Sequence, residues 1–213
     1  MAVNRIMLIY ETLLERYGEL NWWPAETPYE VMVGAVLTQN TAWRNVEKAI
    51  ANFGDKLQPG FVAGASMEEL AEIIRPSGFF RQKAVYLKAV TEWFQKYGSD
   101  VASVKQAPLA RLRTELLATK GVGPETADSI LLYAFGFPTF VVDAYTVRLC
   151  DRYPVKTGQG YQKVKTRFEQ NLPHSAAVYN NFHAMIVANA KEHCQKNPAC
   201  DKCPLHNQCG RPV

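Results

Sequence analysis

Apolar residues at Ile6, Leu8, Ile9, Leu13, Leu14 and Tyr17 recur at the three-to-four spacing of a helix face. Similar patterns run over about 28–53, 67–75, 80–97, 108–117, 124–136, 142–152, 160–170 and 175–193. Breakers at Trp23-Pro24, Gln58-Pro59-Gly60, Pro76-Ser77-Gly78, Gly98-Ser99-Asp100 and Pro154 cut the chain into pieces of three to four turns. FPTFVVD, residues 137–143, is the one short apolar stretch with a strand-like look, and helical signals flank it on both sides. The pattern predicts an all-α bundle with no internal repeat, low-complexity segment or long linker.

Composition narrows the class. With 213 residues and 47% hydrophobic content, the chain can bury one or two modest cores, which excludes disorder as the default state. Lys and Arg outnumber Asp and Glu by 24 to 20, a balance that permits an anionic partner without requiring one. The first twenty residues carry acids inside an amphipathic repeat and do not read as a signal peptide. No apolar run reaches the roughly 18 residues of a membrane span. These features predict a soluble cytoplasmic protein whose thiols stay reduced.

Four of the five cysteines fall within CQKNPACDKCPLHNQC: Cys194, Cys200, Cys203 and Cys209, spaced C-x5-C-x2-C-x5-C. Four thiolates on a short loop-rich tail can converge on a metal centre, and the spacing suits either zinc or an iron–sulfur cluster. A pair of disulfides is the third reading, at odds with a reducing compartment. Cys150 stands apart, at helical spacing from Val147, as a core thiol.

Residues 116–125, LLATKGVGPE, read as a helix end, a tight glycine turn and a new helix opened by Pro124. Such a helix-hairpin-helix exposes N–H groups of Gly121, Gly123 and the following turn, which suits a DNA phosphate. Lys120, just ahead of the turn, adds a cation; Lys83 and Arg148 are further candidates for phosphate contact, although helix faces carry such charges routinely. Asp143 follows Glu125 by eighteen residues and precedes the helical run AYTVRL, where it would also serve as an N-cap.

Taken with LTQNTAWRNV (37–46), RPSGFFRQKA (75–84) and the cysteine tail, the run GVGPETADSILLYAFGFPTFVVDAYTVRL (121–149) resembles the helix-hairpin-helix glycosylase superfamily that includes endonuclease III. The resemblance covers about residues 28–209. It implies a six-helix domain with the hairpin over 22–133, and a second helical domain, 1–21 plus 134–213, that carries a 4Fe-4S cluster. Double-stranded DNA containing a damaged base would be the partner of a monomer, bent between the domains in a bacterial or archaeal nucleoid. The first cysteine interval is one residue shorter than the endonuclease III pattern.

By the same resemblance Asp143 is the catalytic carboxylate, stabilising the sugar as the base departs and orienting water. Bifunctional members carry a lysine at the place of Glu125, and its amine attacks the sugar. Glutamate cannot form that Schiff base. The sequence therefore resembles the monofunctional branch. Glu125 is either an acid complementing the start of a helix or a second carboxylate assisting Asp143.

A flipped base needs apolar or aromatic walls. Trp22, Trp23 and Trp43 border the expected pocket, with Gln39 between them; tryptophan in a helical protein is also a common core residue. Two such rings would favour an electron-poor or cationic base, such as an alkylated purine. WWP, LTQNT and RPSGF together look like the 3-methyladenine subgroup. Gln39 resembles the residue that fills the hole left by the base, and Phe79 or Phe80 could wedge the opposite strand or simply pack at a helix start. His183 and Lys191, eight residues apart, share a helix face that could line the pocket. Two alternatives remain: a bifunctional glycosylase and abasic-site lyase acting on oxidised pyrimidines through another amine, and a non-catalytic sensor of DNA structure.

Overall fold

The computed structural model describes residues 4–20 and 22–210; the ends of the expected domains at 1–3, 21 and 211–213 lie outside the described residues. Helices dominate, and no strand occurs among the described residues. None of their helices is long and apolar enough to cross a membrane. The chain divides into two compact units, Trp23–Phe137 and Met1–Trp22 with Pro138–Val213.

Within Trp23–Phe137, the helix Pro28–Leu37 is the central element. Its residues Tyr29 and Val31 to Leu37 are all buried, as expected of a helix that is apolar all round. Thr27 starts it by accepting from the Glu30 amide, and Pro28 occupies the first turn, where a missing N–H costs nothing. The ring of Trp23 lies across Gly34 so closely that a Cβ there would meet it at 3.3 Å. The pattern over 28–53 reads as continuous, but the helix stops at Leu37 and a second begins at Trp43. Asn40 marks the break with φ +54, a left-handed conformation that asparagine tolerates better than most residues.

Instead of six helices, this unit holds eight α-helical segments among the described residues, several of them only five to seven residues long. Phe80–Gln95 is the longest, and Leu87, Val90, Trp93 and Phe94 on its buried face join the core around Pro28–Leu37. The hairpin is made by Leu109–Ala118 and Pro124–Ser129, the latter running into a buried π turn, Ile130–Ala134.

The other unit is built on Arg5–Tyr17, Ala144–Arg152, Tyr161–Glu169 and Ala176–Glu192. Ala176–Glu192 is buried over most of its surface from Tyr179 to Ala190. The strand-like run is extended but pairs with no strand: Thr139, Phe140, Val141 and Val142 are buried, and Phe140 stacks on Phe168 at 4.6 Å between ring centroids. Its buried backbone is satisfied in part by side chains. The Phe140 amide donates to Glu169 Oε1 at 2.9 Å and the Val142 amide to the Tyr161 hydroxyl at 3.4 Å.

Candidate active site and glycine hairpin

Glycine is mandatory at one point of the hairpin. Gly121 has φ +82, and a Cβ there would stand 2.1 Å from Cγ of Tyr86, so dihedral and packing both exclude a side chain. The Val122 amide donates to the Thr119 carbonyl at 3.1 Å to close the turn, and the buried Val122 side chain plugs it into the core. Lys120, Gly123, Pro124 and Glu125 are exposed around it. Gly123 is the cap of Pro124–Ser129 and, lacking a side chain, makes no side-chain cap bond to that helix. Beneath the surface, Arg113 grips the fully buried Asp128 through two hydrogen bonds of 2.8 and 3.1 Å, locking the two hairpin helices together.

Two neighbouring loops are tied to this turn. Gln39 donates through Nε2 to the Gly121 carbonyl at 2.9 Å and to the Thr126 hydroxyl at 3.0 Å. The hole-filling candidate is thus anchored on the hairpin itself. Lys83 corrects a sequence expectation: it is only 2% exposed and makes no surface for phosphate. Its ammonium donates to the carbonyls of Leu37 at 2.8 Å and Ser77 at 2.7 Å, bridging the loop of Gln39 to the loop of Phe79. Burial pushes its pKa down to about 8.

The two phenylalanines separate cleanly. Phe79 projects to solvent, 66% exposed, from a left-handed residue with φ +46 at the start of Phe80–Gln95. A bulky residue in that conformation is strained. Phe80 is half-buried against the core with the Arg75 guanidinium over its ring, so it packs at the helix start instead of offering a wedge. Trp23 and Trp43 meet edge to face at 5.5 Å, and Tyr133 lies against Trp23 at 4.9 Å. Trp22 belongs to the other unit.

Asp143 caps Ala144–Arg152: its Oδ1 accepts from the Thr146 amide at 2.7 Å and the Thr146 hydroxyl at 2.9 Å. Its Oδ2 faces Nε2 of His183 at 3.4 Å. Burial alone raises the carboxyl's pKa, but the charge and hydrogen bond of His183 and the two bonds from Thr146 outweigh it and leave the pKa below the ordinary value. Asp143 is therefore an anion at neutral pH despite being mostly buried. The ring of His183 stands edge-on to Trp22 at 6.3 Å, and the Lys191 ammonium lies over the same indole at 5.5 Å. The shared helix face of His183 and Lys191 thus converges on Trp22. Arg148, half-buried, lies over the Tyr145 ring.

Sequence reasoning missed Thr146, which a capping pattern with a hydroxyl three residues after Asp143 would have signalled. It also missed the contact of Asp143 with His183, forty positions away, for which the sequence carries no local signal.

The cysteines are all free thiols. Burial raises the pKa of Cys203, and Cys194, Cys200 and Cys209 push it the same way, so the four thiols share one electrostatic neighbourhood. Arg152 Nη1 donates to Cys194 Sγ at 3.1 Å, and the Cys209 thiol donates to the Arg152 carbonyl at 3.2 Å. The donor chemistry fits an iron–sulfur group, but among the described residues no group of three or more His, Cys, Asp or Glu is arranged to hold a metal ion. Cys150 is pushed up to about 12 by burial, which leaves it a poor nucleophile.

Residues 33–174 match the HhH-GPD superfamily base excision DNA repair proteins. The chain belongs to that family and is a DNA glycosylase of base-excision repair. It is 47% identical over 210 residues to MJ1434 of Methanocaldococcus jannaschii, provisionally named a DNA repair glycosylase, covering 96% of this chain and 95% of that one. The crystal structure of H. pylori 3-methyladenine DNA glycosylase (MagIII) bound to 1,N6-ethenoadenine is 27% identical, with a TM-score of 0.76 over 89% of this chain and 98% of that one. An endonuclease III–DNA covalent intermediate, 24% identical, shares the fold at a TM-score of 0.83, covering 99% of this chain and 97% of that one.

Gly121→Ala is expected to destabilise the protein by at least about 2 kcal/mol, because it forces both a left-handed alanine and a clash with Tyr86. Urea denaturation checks it. The lowered pKa of Asp143 supplies stability that is present above the unfolded value of about 3.9 and is lost as pH falls through the folded value. Asp143→Asn keeps the cap, since asparagine is an equally good N-cap, and should flatten that acid-side loss in thermal melts as the pH falls below about 5.

Proposed function

We propose that this chain is a monofunctional DNA glycosylase that acts as a monomer on double-stranded DNA, releases an alkylated purine with water and leaves an abasic site. The carrying observation is the environment of Asp143, a carboxylate kept charged while mostly buried. As the bond from sugar C1′ to the base nitrogen breaks, its electron pair leaves with the base and positive charge develops on the sugar. Asp143 stabilises that charge and orients the water that adds to C1′, taking up the water's proton on its carboxylate and passing it to solvent. Thr146 occupies one carboxyl oxygen, and His183 sets the other.

Glu125, exposed in the first turn after the hairpin, supports the water-dependent route. The resemblance to endonuclease III implies a lysine amine at this position in bifunctional enzymes; a carboxylate forms no Schiff base. Gly121, Gly123 and Lys120, with Arg148, would hold phosphates, and Phe79 is the exposed side chain that fits a wedge. Trp22, beside His183 in the unit of Asp143, supplies an aromatic face, which attracts a cationic base. The 27% identity to a 3-methyladenine glycosylase bound to an alkylated adenine supports the same substrate class.

Cys194, Cys200, Cys203 and Cys209 would hold a 4Fe-4S cluster, supported by their shared neighbourhood and by the Arg152 donor on Cys194. When bound, the cluster would supply structure, cross-linking the tail.

A panel of duplexes with methylated, etheno, oxidised, deaminated and mismatched bases tests the substrate class. Release of 3-methyladenine or ethenoadenine, abolished in Asp143→Asn, is the expected result, with no adduct trapped by borohydride on abasic DNA. An efficient covalent adduct would overturn the monofunctional reading. Glu125→Gln with unchanged single-turnover release would make Glu125 a helix-start acid only. Four irons and the broad thiolate-to-iron absorbance are expected in protein prepared without oxygen, and loss of both on replacing Cys203 by Ala; zinc in their place would refute the cluster.

A further inference from the structure

Asp143 reaches its helix along the extended run 138–142, which no strand supports among the described residues. A helix supports it instead. Tyr161, Lys165 and Glu169 follow one another at intervals of four along Tyr161–Glu169 and so share one face. Each of them meets the run. The Tyr161 hydroxyl accepts from the Val142 amide, one residue before Asp143. The Lys165 ammonium donates to the Thr139 hydroxyl at 2.5 Å and pairs with Glu169, whose Oε1 also accepts from the Phe140 amide at 2.9 Å. Phe168, on the same helix, stacks on Phe140.

Lys165 is only 5% exposed, and burying an ion pair is no cheap route to stability, since apolar residues of similar volume often serve as well. An apolar replacement could not accept from the buried Phe140 amide, however. What the charged pair adds is a fixed register for the backbone: the run cannot slide or rotate without stranding that amide or breaking the bond from the ammonium to Thr139.

We infer that Tyr161, Lys165 and Glu169 are positioning residues for the reaction, holding the 138–142 run in the register that sets the Asp143 carboxyl against His183. The inference rests on Asp143 being the catalytic carboxylate. A displacement of about 1 Å at a reacting group costs on the order of 100-fold in rate. None of the three side chains needs to touch DNA for this.

The test uses the full-length protein on duplex DNA methylated with dimethyl sulfate. Single-turnover release of 3-methyladenine is followed at saturating enzyme and well below the melting temperature, beside the Kd for an abasic-site duplex. Glu169→Ala is expected to slow release about 10–100-fold with Kd unchanged within about twofold. Glu169→Gln, which keeps the acceptor for the Phe140 amide, should recover most of the rate. Tyr161→Phe keeps the ring and should slow release several-fold with Kd unchanged, which preserves the test if Glu169→Ala does not fold. A role in stability alone lowers the melting temperature and leaves the folded enzyme's rate at the parental value; that result, or a Kd that weakens in step with the rate, overturns the inference. Asp143→Asn separates the two levels. If the parent releases no base, or Asp143→Asn releases it at the parental rate, the proposed function fails and this inference with it. An inactive Asp143→Asn beside a fully active Glu169→Ala and Tyr161→Phe refutes the positioning role alone.

Discussion

Keeping one carboxylate ionised inside a largely buried site is the constraint around which the unit of Asp143 is organised. Desolvation pushes such a group toward its neutral acid, which would leave nothing to stabilise a developing positive charge. Here the opposition comes from Thr146, which donates twice to one oxygen, and from His183, which stands against the other. The same bonds that hold the charge also cap Ala144–Arg152, so the ionised carboxylate and the start of a helix are a single arrangement. His183 in turn packs on Trp22, which carries Lys191 on its ring.

A parallel economy governs the hairpin unit. The turn works only if its backbone is rigid, and rigidity is supplied from below by the Arg113–Asp128 pair and from beside by Gln39. Lys83 extends the bracing by joining the end of Pro28–Leu37 to the turn before Phe79. Three loops that face outward are therefore fastened to one another through carbonyl and carboxylate acceptors. Exposed side chains such as Phe79 and Lys120 ride on that frame.

Legibility differed with the range of the interaction. The hairpin was readable because Gly121 through Pro124 meet local demands of turn and helix start, and Asp143 because a cap announces itself ahead of AYTVRL. Lys83 misled, since a lysine on an amphipathic helix looks solvated until its neighbours are known; only packing turns its ammonium inward to two carbonyls. The strand-like run over 137–143 misled in the other direction. Its residues are extended and buried as the pattern suggests, yet its partner is a helix face, which no periodicity within the run could reveal. Phe79 and Phe80 were indistinguishable in sequence because one dihedral, at Phe79, decides which ring faces solvent.

The sequence by itself determined the helical class, the turn that needs glycine, the four-thiol tail and the absence of an amine at position 125. These are local properties: spacing, chirality and the chemistry of a single side chain. Tertiary structure decided which acid stays charged, which lysine is buried and which aromatic rings come together, because those outcomes depend on desolvation and on partners far away in the chain. Asp143 and His183 are forty residues apart in sequence and 3.4 Å apart in space. Electrostatics inside a folded protein acts over the second distance, and only folding converts one into the other.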